Sequence, residues 1–133
     1  MNHFPERPRE SGTEVSHIVG AELELPMEPL VSVDRLAETA RKSSHGYHEF
    51  LRVPAMSAGI YVLERGAADR QLPHQEDELY YVVRGRGRFH QGTEDRGVEA
   101  GDVLFVPARE EHRFHAIAEA LVLLVVFAPA ETD

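Results

Sequence analysis

The chain has 133 residues, a formal net charge of -9, no cysteine and eight histidines. That length fits one domain, and the missing cysteines exclude disulfides, thiolate nucleophiles and Cys-based zinc or iron–sulfur sites. Acidic residues outnumber basic ones by 23 to 14 and the basic ones form no stripe, so a phosphate backbone would be repelled and nucleic acid is not an expected partner.

No apolar run approaches the ~20 residues that span a bilayer. The N-terminus, M-N-H-F-P-E-R-P-R-E, has no apolar segment of the kind a secretory signal carries. A cytoplasmic location without membrane attachment is the expectation, and the absence of cysteine fits it. Residues 1–14 are polar, with Pro5 and Pro8, and read as a flexible arm. A single domain is expected over 15–133. His17 to Leu25 is β-like until Pro26 and Pro29 interrupt it. Ser32 or Asp34 is placed to cap a short helical turn over Arg35 to Ala40, because small polar residues accept the free N–H groups there.

From Tyr47 onward the signal is repeated short strands. Y-H-E-F-L-R-V alternates, with Tyr47, Glu49, Leu51 and Val53 on one face and His48, Phe50 and Arg52 on the other. The run S-A-G-I-Y-V-L-E follows, then Glu78 to Arg84, closed by Gly85. Gly87 to Gln91 and Asp95 to Glu99 flank a G-T-E-D hairpin turn. Val103 to Val106 ends at Pro107, and His112 to Ile117 and Leu121 to Phe127 complete the set. Strands recurring every ~10 to 15 residues between turn residues predict an antiparallel sandwich or barrel. The last run, L-V-L-L-V-V-F, does not alternate, so both of its faces need burial. Either the N-terminal segment or a second subunit can supply the cover, and a symmetric homodimer is the simpler expectation.

Two short stretches carry the chemistry. L-P-H-Q-E-D-E-L-Y-Y-V-V-R-G, Leu72 to Gly85, packs a histidine and three acids ahead of a strand. G-D-V-L-F-V-P-A-R-E-E-H-R-F-H-A, Gly101 to Ala116, places His112 after a Pro turn. Imidazole and carboxylate on neighbouring strand ends suit a divalent transition metal.

The spacing of these residues resembles the two motifs of the cupin superfamily. In the first, Gly66, His74, Glu78 and Gly85 match, while Leu72 stands where the family has its first histidine. In the second, Gly101, Pro107 and His112 match, while Arg109 replaces a glycine and Ala116 an asparagine. The resemblance covers about residues 66–116, and the flanking strands extend it to most of the chain from 47. It implies an all-β double-stranded β-helix, a jelly-roll barrel, with the short N-terminal helical turn beside it.

Carried over residue by residue, the resemblance implies His74, Glu78 and His112 as metal ligands. This two-His, one-Glu set resembles the facial triad, which leaves three octahedral positions for substrate, water or dioxygen. Iron, manganese, nickel, cobalt and zinc all suit such donors. Glu76, two residues from both His74 and Glu78, is a further candidate. His115, at odd spacing from His112, is expected on the opposite face and not as a ligand. Tyr80 and Phe114 share the faces of Glu78 and His112 and are expected to line the pocket. Tyr47, His48, Tyr61 and Arg52 are weaker pocket candidates, Arg52 or Arg84 is a candidate partner for a substrate carboxylate, and Arg109 marks a turn that avoids positive φ. The pattern implies an enzyme acting on a small organic molecule, of dioxygenase, isomerase or lyase type. The alternative is a non-catalytic cupin that binds or senses a small molecule. No catalytic residue is assigned.

Overall fold

The computed structural model describes residues 25–132. The expected arm over 1–14 and most of the expected strand from His17 to Leu25 lie outside the described residues.

Helix α1 spans Val33–Lys42, longer at both ends than the sequence suggests. Ser32, not Asp34, caps it: its side chain accepts the Arg35 N–H at 3.4 Å. Asp34 in the first turn and Arg41 and Lys42 in the last complement the helix dipole. Val33, Leu36, Ala37 and Ala40 recur at helical spacing and pack on Ile60, Val62 and Val122. Both alanines are fully buried, so the helix lies close on the sheet.

Six strands follow. They are β1 (Tyr47–Val53), β2 (Met56–Leu63), β3 (Asp77–Gln91), β4 (Glu94–Glu99), β5 (Val103–Val106) and β6 (His112–Ala128). The pairing order is β1-β2-β6-β3-β4, with β5 also on β3, and every pair is antiparallel. The double-stranded β-helix expected from the sequence is the observed architecture.

Two strands are longer than expected. Gly85 does not end a strand; it lies inside the 15-residue β3, at φ +100. Three register shifts between Val82 and Arg88 let β3 bend there without breaking. A Cβ at position 85 would run into the Ala120 carbonyl of β6, which leaves only glycine. Likewise His112 to Ile117 and Leu121 to Phe127 are one strand of 17 residues, with Ala116 at φ +48 inside it. Because β3 and β6 are continuous, each carries site residues at one end and core residues along its length.

The run Leu121 to Phe127 is hydrogen-bonded on both sides, to β2 and β3. Leu121, Leu123, Val125 and Phe127 face the barrel core with Tyr80, Val82, Phe89 and Phe114. On its other face, Val122 is buried and Leu124 partly buried in the cluster under α1. The cover expected from an N-terminal strand or a second subunit is therefore supplied in part by the helix. The large apolar side chains that stay exposed on the sheet are Leu79 and Tyr81 of β3 and Val103 and Phe105 of β5. They are direct cross-strand neighbours, Leu79 opposite Phe105 and Tyr81 opposite Val103.

Candidate metal centre

Strand alternation places the first two ligand candidates. Along Asp77–Val82 burial alternates, so Glu78, Tyr80 and Val82 point inward. Glu78 is only 2% exposed. His112 opens β6 and also points inward, at 3% exposure. His74 precedes β3 in the long connection from β2, and two contacts with the β5–β6 turn hold that connection in place. The Arg109 N–H donates to the His74 carbonyl at 2.6 Å, and the Ala108 N–H to Asp77 Oδ1 at 2.9 Å. Arg109 sits at φ +70, so the turn keeps the left-handed conformation without a glycine. The expectation that Arg109 marks a turn avoiding positive φ is corrected: the strain at a non-glycine residue accompanies an N–H aimed at the loop that carries His74.

His74, Glu78 and His112 converge. One nitrogen or oxygen from each lies within 4.8 Å of the others. Glu78 Oε1 is 3.1 Å from His112 Nε2 and 4.0 Å from His74 Nε2. Both distances fall inside the ~4.4 Å that two opposite ligands reach with bonds of ~2.2 Å. The His112 Nδ1–H donates to the Glu110 carbonyl at 2.9 Å, which leaves the Nε2 lone pair turned towards Glu78. The 3.1 Å approach is not aligned as a hydrogen bond. Both Glu78 carboxylate oxygens and His112 Nε2 are buried without a hydrogen-bond partner among the described residues. Buried acceptors left unpaired cost stability. A divalent cation between them would satisfy all three, and two nitrogens with a carboxylate form a donor set that such an ion accepts.

The electrostatics match. Burial pulls the His112 imidazole down, but the Glu78 carboxylate and the Glu110 carbonyl outweigh it and hold its pKa above the usual histidine value. Burial likewise lowers His74, and the carboxylates of Glu131 and Glu78 more than offset it. The site therefore attracts positive charge, from protons or from a metal.

The remaining candidates separate. Tyr80 is fully buried among Phe89, Phe114 and His112, its ring 4.9 Å from Phe114. Tyr80 is among the cavity's lining residues, and burial, with the Glu78 carboxylate next, pushes its pKa well above the ordinary range. Phe114 is also fully buried and stacks 4.5 Å from Phe89. It backs the site from within the core and is not among the cavity's lining residues. Glu76 turns away: its Oε2 accepts from the Thr132 N–H and hydroxyl at 3.0 and 2.6 Å. It precedes β3, so strand alternation does not hold it on the Glu78 face. Leu72 is 78% exposed. His115 points to the outside and bonds Asp95 at 2.7 Å. Arg84 pairs with Asp34 of the helix at 3.0 Å, and Arg52 pairs with Glu49 at 2.9 Å and donates to the Glu131 carbonyl. Neither arginine lines the cavity, nor does His48, whereas Tyr47 and Tyr61 do.

Three residues at the site escape a sequence reading. Glu131 places Oε2 3.1 Å from His74 Nδ1, so the C-terminal segment orients that imidazole. Asp69, buried, accepts the Tyr61 hydroxyl at 2.7 Å and the Phe114 N–H at 2.9 Å, fixing the connection to β6. Gln71 donates its amide N–H groups to Asp69 Oδ2 at 2.9 Å and to the Tyr80 hydroxyl at 3.0 Å. Its Oε1 lies 2.9 Å from His74 Nε2. Only the place of Gln71, next to the missing histidine position, hints at it in the sequence.

The cavity has a volume of about 730 Å³. Glu78, His74, Gln71 and Tyr80 line it, as do Arg70 and Arg41. Arg41 is paired with Glu64 at 3.2 Å, while Arg70 has no ion-pair partner among the described residues.

The cupin-domain family model matches residues 59–127, more than half of the chain, across both motifs. The chain is a cupin. It is 43% identical over 100 residues to an uncharacterised protein from Streptomyces coelicolor, covering 75% of this chain and 95% of that one. It is 29% identical over 98 residues to an oxalate-binding protein from Thermotoga maritima, covering 74% of this chain and 69% of that one. A Klebsiella pneumoniae protein with a double-stranded β-helix domain superposes with a TM-score of 0.63 over 77% of this cupin and 90% of its own chain, at 20% identity, which speaks to fold alone. Cupins commonly bind metals, and this cupin brings a His-His-Glu group together in its barrel.

Proposed function

We propose that this cupin binds a divalent transition metal through His74, Glu78 and His112 and uses it to hold a small organic anion with two adjacent oxygen donors. The observation that carries the reading is the set of buried acceptors on Glu78 and His112, without hydrogen-bond partners among the described residues, at a cavity of small-molecule size that Glu78 and His74 line. A bound metal supplies a Lewis acid that polarises an oxygen donor. The chain's own residues do the rest. Glu131 and the Glu110 carbonyl orient the two imidazoles. Arg70, a lining residue with no ion-pair partner among the described residues, offers its guanidinium to a second carboxylate oxygen. Val125 and Phe127 keep one wall apolar and exclude water. The relative named for oxalate binding supports a ligand of this chemistry.

The test is elemental analysis followed by calorimetric titration with oxalate, a 2-oxo acid and, as a monodentate control, acetate. Chelating anions should bind only the metal-loaded protein, and Arg70→Ala should weaken them. Equal binding to the metal-free protein would sink the proposal.

A second reading is turnover of the bound molecule, of oxygenase, isomerase or lyase type. It is favoured by Tyr80, a cavity-lining residue whose hydroxyl stays protonated beside Glu78 and so keeps a proton to donate. Mass spectrometry of the titrated ligands, with iron loaded and oxygen consumption followed, separates turnover from binding.

A further inference from the structure

Leu72 occupies the place of the family's first histidine, yet its side chain is 78% exposed. The neighbouring residue, Gln71, turns towards His74 instead. Gln71 is held at its amide nitrogen by two acceptors, Asp69 Oδ2 and the Tyr80 hydroxyl. Asp69 is held in turn by Tyr61 and the Phe114 N–H. A flip of the amide would set its oxygen against the Asp69 carboxylate, which can only accept, so Oε1 stays aimed at His74 Nε2, 2.9 Å away.

That separation has a consequence for a metal. Adjacent ligands on an octahedral ion with bonds of ~2.0–2.2 Å sit ~2.8–3.1 Å apart. Gln71 Oε1 and His74 Nε2 are already at that spacing. A metal on His74 needs the Nε2 lone pair. The Gln71 oxygen would then face a lone pair at 2.9 Å with no hydrogen between them. A cation bound to both atoms removes the repulsion. We infer that Gln71 Oε1 is a fourth protein ligand, an amide oxygen in place of the absent histidine, locked in position by Asp69 and Tyr80. The inference rests on metal binding by His74, Glu78 and His112. It changes what the site takes, because four protein ligands leave two adjacent octahedral positions, which suits one bidentate anion.

The probe is Mn(II) alone, added to wild-type protein and to Gln71→Leu, Gln71→Ala and His112→Ala, each checked for folding by circular dichroism. Affinity is measured by competition with a chelator, and exchangeable water by the proton relaxation rate per bound ion. Gln71→Leu should weaken binding about tenfold or more. It should also raise the relaxation per bound ion by about half, as a third water joins two. Gln71→Ala removes the same oxygen donor and should show the same weaker binding and higher relaxation. Weaker binding of Gln71→Leu with unchanged relaxation would mean that Gln71 only positions His74 and would overturn coordination. Should Gln71→Leu not fold, Gln71→Ala against wild type decides the matter by the same two measurements. A wild type that binds no Mn(II), or a His112→Ala variant that binds it equally, would instead remove the three-residue site itself.

Discussion

Removing the metal should destabilise this cupin in a way that depends on pH with a definite sign. A ligand that binds only the folded state adds about 2.7 kcal/mol when its free concentration is ~100 times its dissociation constant. For a chain of 133 residues, each kcal/mol moves the melting temperature by about 3–5 °C, so a chelator should lower it by about 8–14 °C. The protein should stay folded at room temperature, because the core around Tyr80, Phe89, Phe114 and β6 does not include the metal. Protons compete for the same nitrogens. His74 and His112 have folded pKa values raised above the usual 6.5. In metal-free protein their charged forms therefore stabilise fully below the unfolded value, and that contribution is lost as pH rises through the raised folded values. Metal stabilisation runs the other way: it is complete above those values and fades as pH falls through them, beginning above 6.5. The melting temperature gap between loaded and chelated protein should thus widen from pH ~5 to pH ~8.5, a span that brackets the histidine titration. Differential scanning fluorimetry with and without chelator measures it, on protein whose metal content has been assayed. No gap at the alkaline end, or a gap widening towards acid, would refute the assignment of these imidazoles.

Metal content per chain after dialysis should fall to near zero in His112→Ala and stay at wild-type level in His115→Ala, because His115 faces outward onto Asp95. Glu131→Gln should weaken metal binding by about 10–100-fold in chelator competition while leaving the melting temperature of the metal-free protein at acid pH lower than wild type, since the carboxylate also holds charged His74. For oligomeric state we propose a homodimer, now through the exposed Leu79, Tyr81, Val103 and Phe105 patch and not through the Leu121 to Phe127 run. Light scattering should give twice the 14.9 kDa chain mass, and Phe105→Glu should reduce it to one; a wild type that stays monomeric at micromolar concentration would exclude that role for the patch.

Local pattern alone specifies a good deal of this protein. Alternation along Asp77–Val82 puts Glu78 and Tyr80 on the inner face, and odd spacing separates His112 from His115, because side chains on a strand change face at every residue. The apolar run of β6 marks a central strand for the same kind of reason. Other features depend on contacts between segments far apart in the chain. Gly85 reads as a stop, and only the crossing of Ala120 on β6 shows it to be a bend within one long strand. Arg109 takes positive φ where a glycine is expected, and its N–H meets the His74 carbonyl 35 positions upstream. Glu76 has the spacing of a ligand but lies before β3, where no ladder holds its face, and Thr132 captures it. Gln71, Asp69 and Glu131 carry no motif; the positions of their side chains are set by partners on β2, β3, β6 and the connection before β3. Spacing along one strand is a one-dimensional property that residue order encodes directly, whereas the contacts of Asp69 with Phe114, Glu76 with Thr132 and His74 with Glu131 close loops of tens of residues, and only the folded barrel brings their ends together.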